Sequence, residues 1–171
     1  MLLADLVACA EAVAATSART EKIESLAELL RGADGREAGV VAGLIAGDPR
    51  QGRIGVGWAT VAALQTDSAG EPTLSVADLD AMLDEVAGAA GGGSTQRRLD
   101  LLEDFLAQAT AAEADFVRRL LVGELRQGAS EGVVVEAVAR AAGVAASVVR
   151  RALMLVGDLG ETAGIALKQG A

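Results

Sequence analysis

The apolar residues of this chain recur at the spacing of helices along most of its length. Ile23, Leu26, Leu29 and Leu30 form one such stripe, because residues three or four positions apart share one face of a helix. No segment alternates apolar and polar residues with the period of two that is typical of a strand. The pattern predicts an all-α protein, a single domain over residues 1–171 with about ten helices.

The chain repeats itself with an offset of 76 residues. Residues 20–64 align with 96–140 without a gap, and 12 of the 45 aligned positions are identical. Each copy is expected to contain a helix, a short link, a second helix, a turn and a third helix, which covers about 57–65 or 131–142. Two copies of one helical unit predict an internal duplication with pseudo-two-fold symmetry.

Start and stop signals are duplicated together with the apolar stripes. Asp34 with Glu37, and Thr110 with Glu113, match a capping box at the start of the second helix. A glycine suited to a left-handed cap then ends that helix in each copy, and Arg-Gln-Gly follows at 50–52 and 126–128. The cap glycines are Gly47 and Gly123.

The remaining helices lie outside the two copies. Ser75 with Asp78 matches another capping box, at the start of an acidic helix that continues to about Ala89. The other predicted helices are 3–15, 146–156 and 160–168.

Composition decides what fills the core. Aromatic residues make up only 2% of the chain, so alanine, leucine and valine must pack the helices closely. Trp58, the only tryptophan, is expected to anchor the third helix in the core rather than to stack on a base. Cys9 is expected to be a small buried hydrophobe, and a lone cysteine fits a reducing, cytoplasmic setting. Asp5 and Glu11 interrupt the apolar N-terminus, which argues against a signal peptide.

The net charge of −9 argues against nucleic acid, but the charges are segregated. Residues 65–91 hold six acidic and no basic residues, which leaves −3 for the rest of the chain. Residues 49–66 and 86–99 each hold two arginines and no acidic residue. A basic surface is therefore compatible with this acidic protein, provided that the helix with Asp78 and Glu85 faces away from DNA.

The sequence offers no catalytic motif within this chain. There is no histidine and no tyrosine, which removes the usual general base, the usual metal ligand and the usual partner of a nucleophile. One cysteine cannot form a zinc site, and no Gly-x-x-x-x-Gly-Lys loop is present. We expect neither a catalytic residue nor a metal or cofactor site in this chain.

The candidate binding residues are cations, hydroxyls and glycines at helix starts and turns. A helix start offers unpaired N–H groups and a partial positive charge, so added hydroxyls and cations favour a phosphate. Glycine turns allow close backbone approach, while arginine and glutamine can contact phosphate, sugar or the minor groove. The helix-start candidates are Arg19, Thr20, Lys22, Ser94, Thr95, Arg97 and Arg98, and the turn candidates are Arg50, Gln51, Gly52, Arg53, Gly55, Gly57, Arg126, Gln127 and Gly128.

Both groups also have a plain structural interpretation, as ordinary N-capping by serine or threonine and as helix-to-helix turns. Duplication favours the binding interpretation, because neither capping nor turn geometry requires the cations to recur. Two helix starts and two turns related by a pseudo-two-fold axis suit a DNA duplex. They would read little of the major-groove code, so we expect no sequence preference.

At these positions the chain resembles the N-terminal DNA-binding domain of bacterial, actinobacterial-type, ATP-dependent DNA ligases. The segments that carry the resemblance are Gln51-Gly52-Arg53-Ile54-Gly55-Val56-Gly57-Trp58, Leu121 to Gly128 and Arg150 to Gly160. The resemblance implies a domain that binds nicked duplex DNA across the minor groove, in an enzyme that seals nicks in replication, repair and recombination. The second turn departs from the first, with Ala129-Ser130 in place of Arg53-Ile54.

The resemblance also implies that catalysis belongs to other domains. In such ligases the lysine of a Lys-x-Asp-Gly motif takes AMP from ATP with the help of Mg²⁺, and this motif is absent here. The partners implied are nicked double-stranded DNA and the ligase's own adenylation and OB-fold domains, with no membrane and a monomeric state. The alternative is a non-enzymatic helical module that binds an acidic protein.

Overall fold

The computed structural model describes residues 1–52, 54, 56–64, 67–125 and 128–169. The regular secondary structure of this part of the chain is α-helical. The helices are α1 Leu3–Ala15, α2 Arg19–Arg31, α3 Gly35–Ala46, α4 Trp58–Ala63, α5 Val76–Gly88, α6 Ser94–Leu106, α7 Ala111–Leu121, α8 Glu131–Ala142, α9 Ala146–Val156 and α10 Leu159–Gln169. Within the described ranges there is no β-strand, only an isolated bridge between Leu2 and Ser75. The all-α class and the number of helices are confirmed.

Helix starts follow the capping signals, with one exception. The Ser75–Asp78 and Thr110–Glu113 boxes form in both directions. Asp34 accepts hydrogen bonds from the amides two and three residues further along the chain, at 3.0 and 2.9 Å, but Glu37 does not return the bond. Its Oε1 instead receives the N-terminal ammonium group at 2.7 Å. The box predicted there is only half formed, because an ammonium group is a stronger partner for a carboxylate than a neutral amide.

The second helices of the two copies end in the same way. Gly47 and Gly123 adopt left-handed φ angles of 73° and 71°. In both copies the amide after this glycine donates to the carbonyl five residues earlier, at 2.9 Å. This is a Schellman motif, which turns the chain sharply out of the helix. Gly52 and Gly128, which end the two Arg-Gln-Gly segments, also match, with φ angles of 63° and 64°.

The helices group into two compact units. Unit 1 comprises Met1, Ala8–Arg50 and Arg126–Ala171, and unit 2 comprises Leu2–Val7 and Gln51–Leu125. Unit 1 thus holds α2 and α3 of the first copy together with α8 of the second copy. Unit 2 holds α6 and α7 of the second copy together with α4 of the first. An internal duplication is compatible with this exchange of third helices between the two units. The duplication and its symmetry axis remain predictions.

In unit 1, α3 and α10 approach each other closely. A Cβ atom on Gly39 would lie 2.7 Å from the carbonyl oxygen of Gly160, so the two backbones touch where side chains would keep them apart. Helix α2 also packs on α8. Leu26 and Leu30 of α2 and Val138 of α8 are buried.

In unit 2 α5 packs on α6, and leucines fill the core as the composition predicts. Leu79, Leu83, Leu102 and Leu106 are fully buried. Glu113 is also fully buried, where its Oε2 accepts hydrogen bonds from the amide and hydroxyl of Thr110, both at 2.8 Å.

Two expectations about single side chains need correction. Trp58 is not a core anchor: its side chain is 69% exposed at the first position of α4, and Val61 and Leu64 are buried in its stead. Cys9 is only half-buried, with its thiol 3.5 Å from the carbonyl oxygen of Ser25. Burial and the nearby charge of Glu28 raise the pKa of this thiol to about 11, so it remains protonated at neutral pH.

In the described part of the chain, no single helix is both long and apolar enough to cross a membrane. Helices α8 and α9 reach that length and composition only as a pair bent by 118°.

Candidate nucleic-acid interface

In unit 1 the start of α2 lies against the second turn. Lys22 Nζ donates a hydrogen bond to the carbonyl oxygen of Gly128 at 3.3 Å, across 106 residues of sequence. Candidates from the first copy's helix start and the second copy's turn therefore meet in one place. Arg126 and Gln127, predicted for the same turn, lie outside the described residues.

The starts of α2 and α6 carry no side-chain cap. Their N-cap residues are Ala18 and Gly93, and neither helix has a capping hydrogen bond from a side chain. Thr20 and Thr95 are exposed, and Ser94 is the first residue of α6 rather than its cap. The plain interpretation of these hydroxyls as N-caps is therefore wrong. Helices α4, α8 and α9 also begin without a side-chain cap in the described structure, so what distinguishes the starts of α2 and α6 is the basic residues in their first turns.

Arg19 shares an acidic partner with an arginine that the sequence analysis did not single out. Arg19 Nη2 lies 3.0 Å from Glu136 Oε1, and Arg150 Nη2 lies 3.1 Å from the same oxygen. Arg19 also donates to the carbonyl oxygen of Gly132 at 3.4 Å. Two guanidinium groups thus share one carboxylate next to the start of α2. Arg150 belongs to a segment that carried the family resemblance, but its partner on α8 is visible only in the fold.

In unit 2 the first turn is held against the acidic helix. Gln51 Nε2 donates to Asp80 Oδ1 at 2.8 Å, to the Asp80 carbonyl oxygen at 3.1 Å and to Asp84 Oδ1 at 3.0 Å. The Gln51 Oε1 atom is buried without a hydrogen-bond partner in the described structure. Two carboxylates of α5 therefore lie at the predicted DNA turn, where the sequence analysis expected this helix to face away.

Arg97 and Arg98 are neighbours with different surroundings. Arg98 Nε donates to the carbonyl oxygen of Val86 at 3.1 Å, and its Nη2 donates to that of Ala89 at 2.6 Å. Arg98 therefore adds a charged donor at the end of α5, where the Val86 carbonyl otherwise accepts only the Ala89 amide at 3.4 Å. Arg97 is exposed and makes no hydrogen bond or ion pair with the described residues.

The rest of the first turn offers an open surface. A Cβ atom at Gly52 or Gly57 would meet nothing within 4 Å. Arg53 and Gly55 lie outside the described residues. Arg50 belongs to unit 1, where it lines a cleft of about 490 Å³ between α3 and α10 together with Asp48 and Lys168.

No group of three or more carboxylate or cysteine side chains that could hold a metal ion occurs in the described ranges. The lysines, Lys22 and Lys168, are not followed by x-Asp-Gly.

Comparison with known proteins finds relatives that cover the whole of this chain. Residues 59–139 match the family model described as DNA ligase N terminus. A probable DNA ligase of Saccharopolyspora erythraea is 51% identical over 170 residues, covering 99% of this chain and 33% of the relative. A probable DNA ligase of an Anaeromyxobacter species is 53% identical over 173 residues, covering 100% of the chain and 33% of the relative. A third, from Nocardia farcinica, is 48% identical over 171 residues with the same two coverages. The chain spans about one third of the length of these curated relatives.

Proposed function

Because this chain belongs to the family of DNA ligase N-terminal domains, we propose that it binds nicked duplex DNA without sequence preference. It does so through contacts with the sugar-phosphate backbone and the minor groove. The observation that carries this proposal is the contact between Lys22 and Gly128, which joins a predicted phosphate-binding helix start to a predicted groove-facing turn. Such groups fix a protein on a duplex without reading its bases.

The electrostatics of unit 1 support a phosphate ligand. The start of α2 has no side-chain cap, and its first turn carries Arg19 and Lys22. Arg150 adds a third cation, and Glu136 is the carboxylate that Arg19 and Arg150 share. A phosphate there would receive helix N–H groups together with charged donors.

In unit 2 the support comes from a second helix start of the same kind. Helix α6 begins without a side-chain cap, and the exposed guanidinium group of Arg97 lies in its first turn. Two such places suit the two strands of a duplex. The other described candidates, Thr20, Gly52, Gly57, Ser94 and Thr95, remain proposed contacts, whereas Gln51 positions the first turn through its bonds to Asp80 and Asp84.

Sealing of nicks belongs to the longer protein. We propose that adenylation and OB-fold domains supply ATP-dependent, Mg²⁺-assisted chemistry in replication, repair and recombination, in the cytoplasm and as a monomer. The present chain contributes no reacting group to those steps. Its part is to hold the duplex.

One observation favours the alternative function, a protein-binding module. Helix α9 exposes Val148 by 58%, Met154 by 85% and Leu155 by 82%, and a row of exposed apolar side chains marks a contact surface. We assign this surface to the other domains of the ligase, because the chain spans only about one third of its relatives.

A salt titration of binding separates the two functions. The chain is titrated against labelled nicked duplexes of two unrelated sequences, between about 50 and 200 mM salt. DNA binding predicts equal affinity for both sequences and a loss of about 0.9 log unit per log unit of salt for each phosphate contacted. Lys22→Met should lower that slope by about one, whereas Arg31→Met at the far end of α2 should not. No affinity for either duplex at low salt would leave the protein-binding alternative.

A further inference from the structure

Trp58 is the one aromatic side chain that this protein places on its surface. The chain has one tryptophan, two phenylalanines and no tyrosine. Phe105 and Phe116 are buried, at 6% and 1% exposure, whereas Trp58 is 69% exposed. A protein with so few aromatic groups to fill its core leaves the largest of them in water.

The exposure of Trp58 is not caused by a loose α4. Val61 and Leu64 of this segment are 6% and 4% exposed, and Ile54 before it is 7% exposed. These buried side chains lie on both sides of Trp58 in the sequence and hold its backbone in place. The indole ring itself is exposed to solvent.

The surroundings of the ring are open and belong to the predicted first turn. Gly57 directly precedes Trp58 in extended conformation, and a Cβ atom there would meet nothing within 4 Å. Gly52 of the same turn is equally open, and Gln51 fixes the turn through its bonds to Asp80 and Asp84. A large flat side chain thus stands on an anchored segment with bare glycine backbone beside it.

We propose that Trp58 is a DNA contact whose indole face packs on a deoxyribose of the duplex along the minor groove. This proposal rests on the proposed function. An indole offers a broad apolar face with a single N–H donor at its edge, and a groove wall offers sugar faces beside oxygen and nitrogen acceptors. Sugar faces are the same at every base pair, so this contact adds affinity without sequence preference. The glycines let the duplex backbone approach the ring closely.

Trp58 itself reports on the test. Because the chain has no tyrosine and one tryptophan, its tryptophan fluorescence comes from Trp58 alone. Titration of unlabelled nicked duplex should shift this emission to shorter wavelength, quench it and protect it from iodide. Binding is followed in parallel by the anisotropy of a labelled duplex. Trp58→Leu should weaken binding about tenfold, as expected for the loss of one aromatic contact worth about 1.4 kcal/mol, with an unchanged melting temperature.

Met154→Ala is the matched control, because Met154 is still more exposed, at 85%, and lies on α9 of unit 1. It should leave the affinity within about twofold of the unsubstituted chain, well short of the tenfold loss expected for Trp58→Leu. Anisotropy that reports binding while Trp58 emission and iodide quenching stay unchanged overturns the assignment of Trp58 and leaves the proposed function standing. Absence of binding in both measurements at low salt overturns the proposed function, and this inference with it.

Discussion

Lys22 Nζ donates to the Gly128 carbonyl oxygen at 3.3 Å, whereas the corresponding pair of the other copy, Arg98 and Gly52, does not repeat the contact. Arg98 turns to the carbonyl groups of Val86 and Ala89 at the end of α5. A guanidinium group can donate to two carbonyls at once, which an ammonium group on a flexible stem does less well. The two copies therefore share their backbone turns but use their cations differently.

The glycines that end the two turns should differ in their coupling to Lys22. Gly52 and Gly128 have φ angles of 63° and 64°, so alanine at either position should lower the free energy of unfolding by about 1 kcal/mol. A Cβ atom at Gly128 would also displace Lys22 Nζ, while one at Gly52 meets nothing. Combined with Lys22→Met in urea unfolding, Gly52→Ala should be additive and Gly128→Ala should not. Additivity of both pairs would mean that the Lys22 contact contributes nothing.

Arg97 and Arg98 should separate binding from stability at adjacent positions. Arg97→Ala should lower nicked-duplex affinity several-fold and reduce the salt slope by about one, with no change in melting temperature. Arg98→Ala should lower the free energy of unfolding by about 1–2 kcal/mol, because two carbonyl groups of α5 lose a charged donor. Urea unfolding and duplex titration of both variants provide the measurement. The reverse assignment of effects would contradict the geometry of α6.

Removal of the carboxylate between Arg19 and Arg150 should strengthen DNA binding. Two charges about 4 Å apart in water interact by about 1 kcal/mol, so Glu136→Gln should raise affinity by up to about fivefold at low salt. The gain should disappear at high salt because these groups are exposed. Glu28→Gln, about 13 Å along α2 from Arg19, is the control. Weaker binding by Glu136→Gln would show that Glu136 orients the arginines rather than competes for them.

The cap of α3 should make stability depend on acid pH. Hydrogen bonds from the amides of Glu37 and Arg36 lower the pKa of Asp34 below its usual value, so the folded state favours the carboxylate. This contribution is present above the unfolded pKa of about 3.9 and is lost as the pH falls through the lower folded value. The substitution Asp34→Asn should keep the cap without the titration, because an asparagine side chain also accepts from the helix amides but carries no charge.

The corresponding measurement compares melting temperatures of the unsubstituted chain and Asp34→Asn between about pH 6 and pH 2.5. The difference between the two should shrink as the pH falls. Hydrogen bonds from Ser75 lower the pKa of Asp78 in the same way, but this effect is common to both proteins and cancels. A difference that stays constant across the range would show that Asp34 does not titrate as the geometry requires.

Local signals in the sequence predicted the helices well. The starts of α5 and α7 depend on residues three positions apart, and the ends of α3 and α7 depend on one glycine each. Residues close together in the sequence therefore determine these helix ends. Glu37 was mispredicted because its partner is the ammonium group of Met1, 36 residues away. The partners of Gln51, Arg98 and Arg150 could not be predicted either, because they are also distant in the sequence.

Trp58 shows a different limit of sequence-based prediction. Hydrophobicity favours burial of a tryptophan, and the spacing to Val61 would have placed both side chains on one face. The structure buries Val61 and exposes Trp58. Which of two neighbouring apolar residues enters a core depends on the elements that pack there, and no local pattern contains that information.

The exchange of third helices between the copies sets an order of folding during synthesis. Unit 2 is complete once residue 125 has left the ribosome, whereas in unit 1 α3 must wait for α10, which begins at Leu159, and α2 must wait for α8, which begins at Glu131. At about 5–20 residues per second, the 85 residues between the end of α3 and that point take roughly 4–17 s. During that time the apolar faces of α2 and α3 stay uncovered on the nascent chain, which makes the earlier copy the segment that a ribosome-associated chaperone would hold.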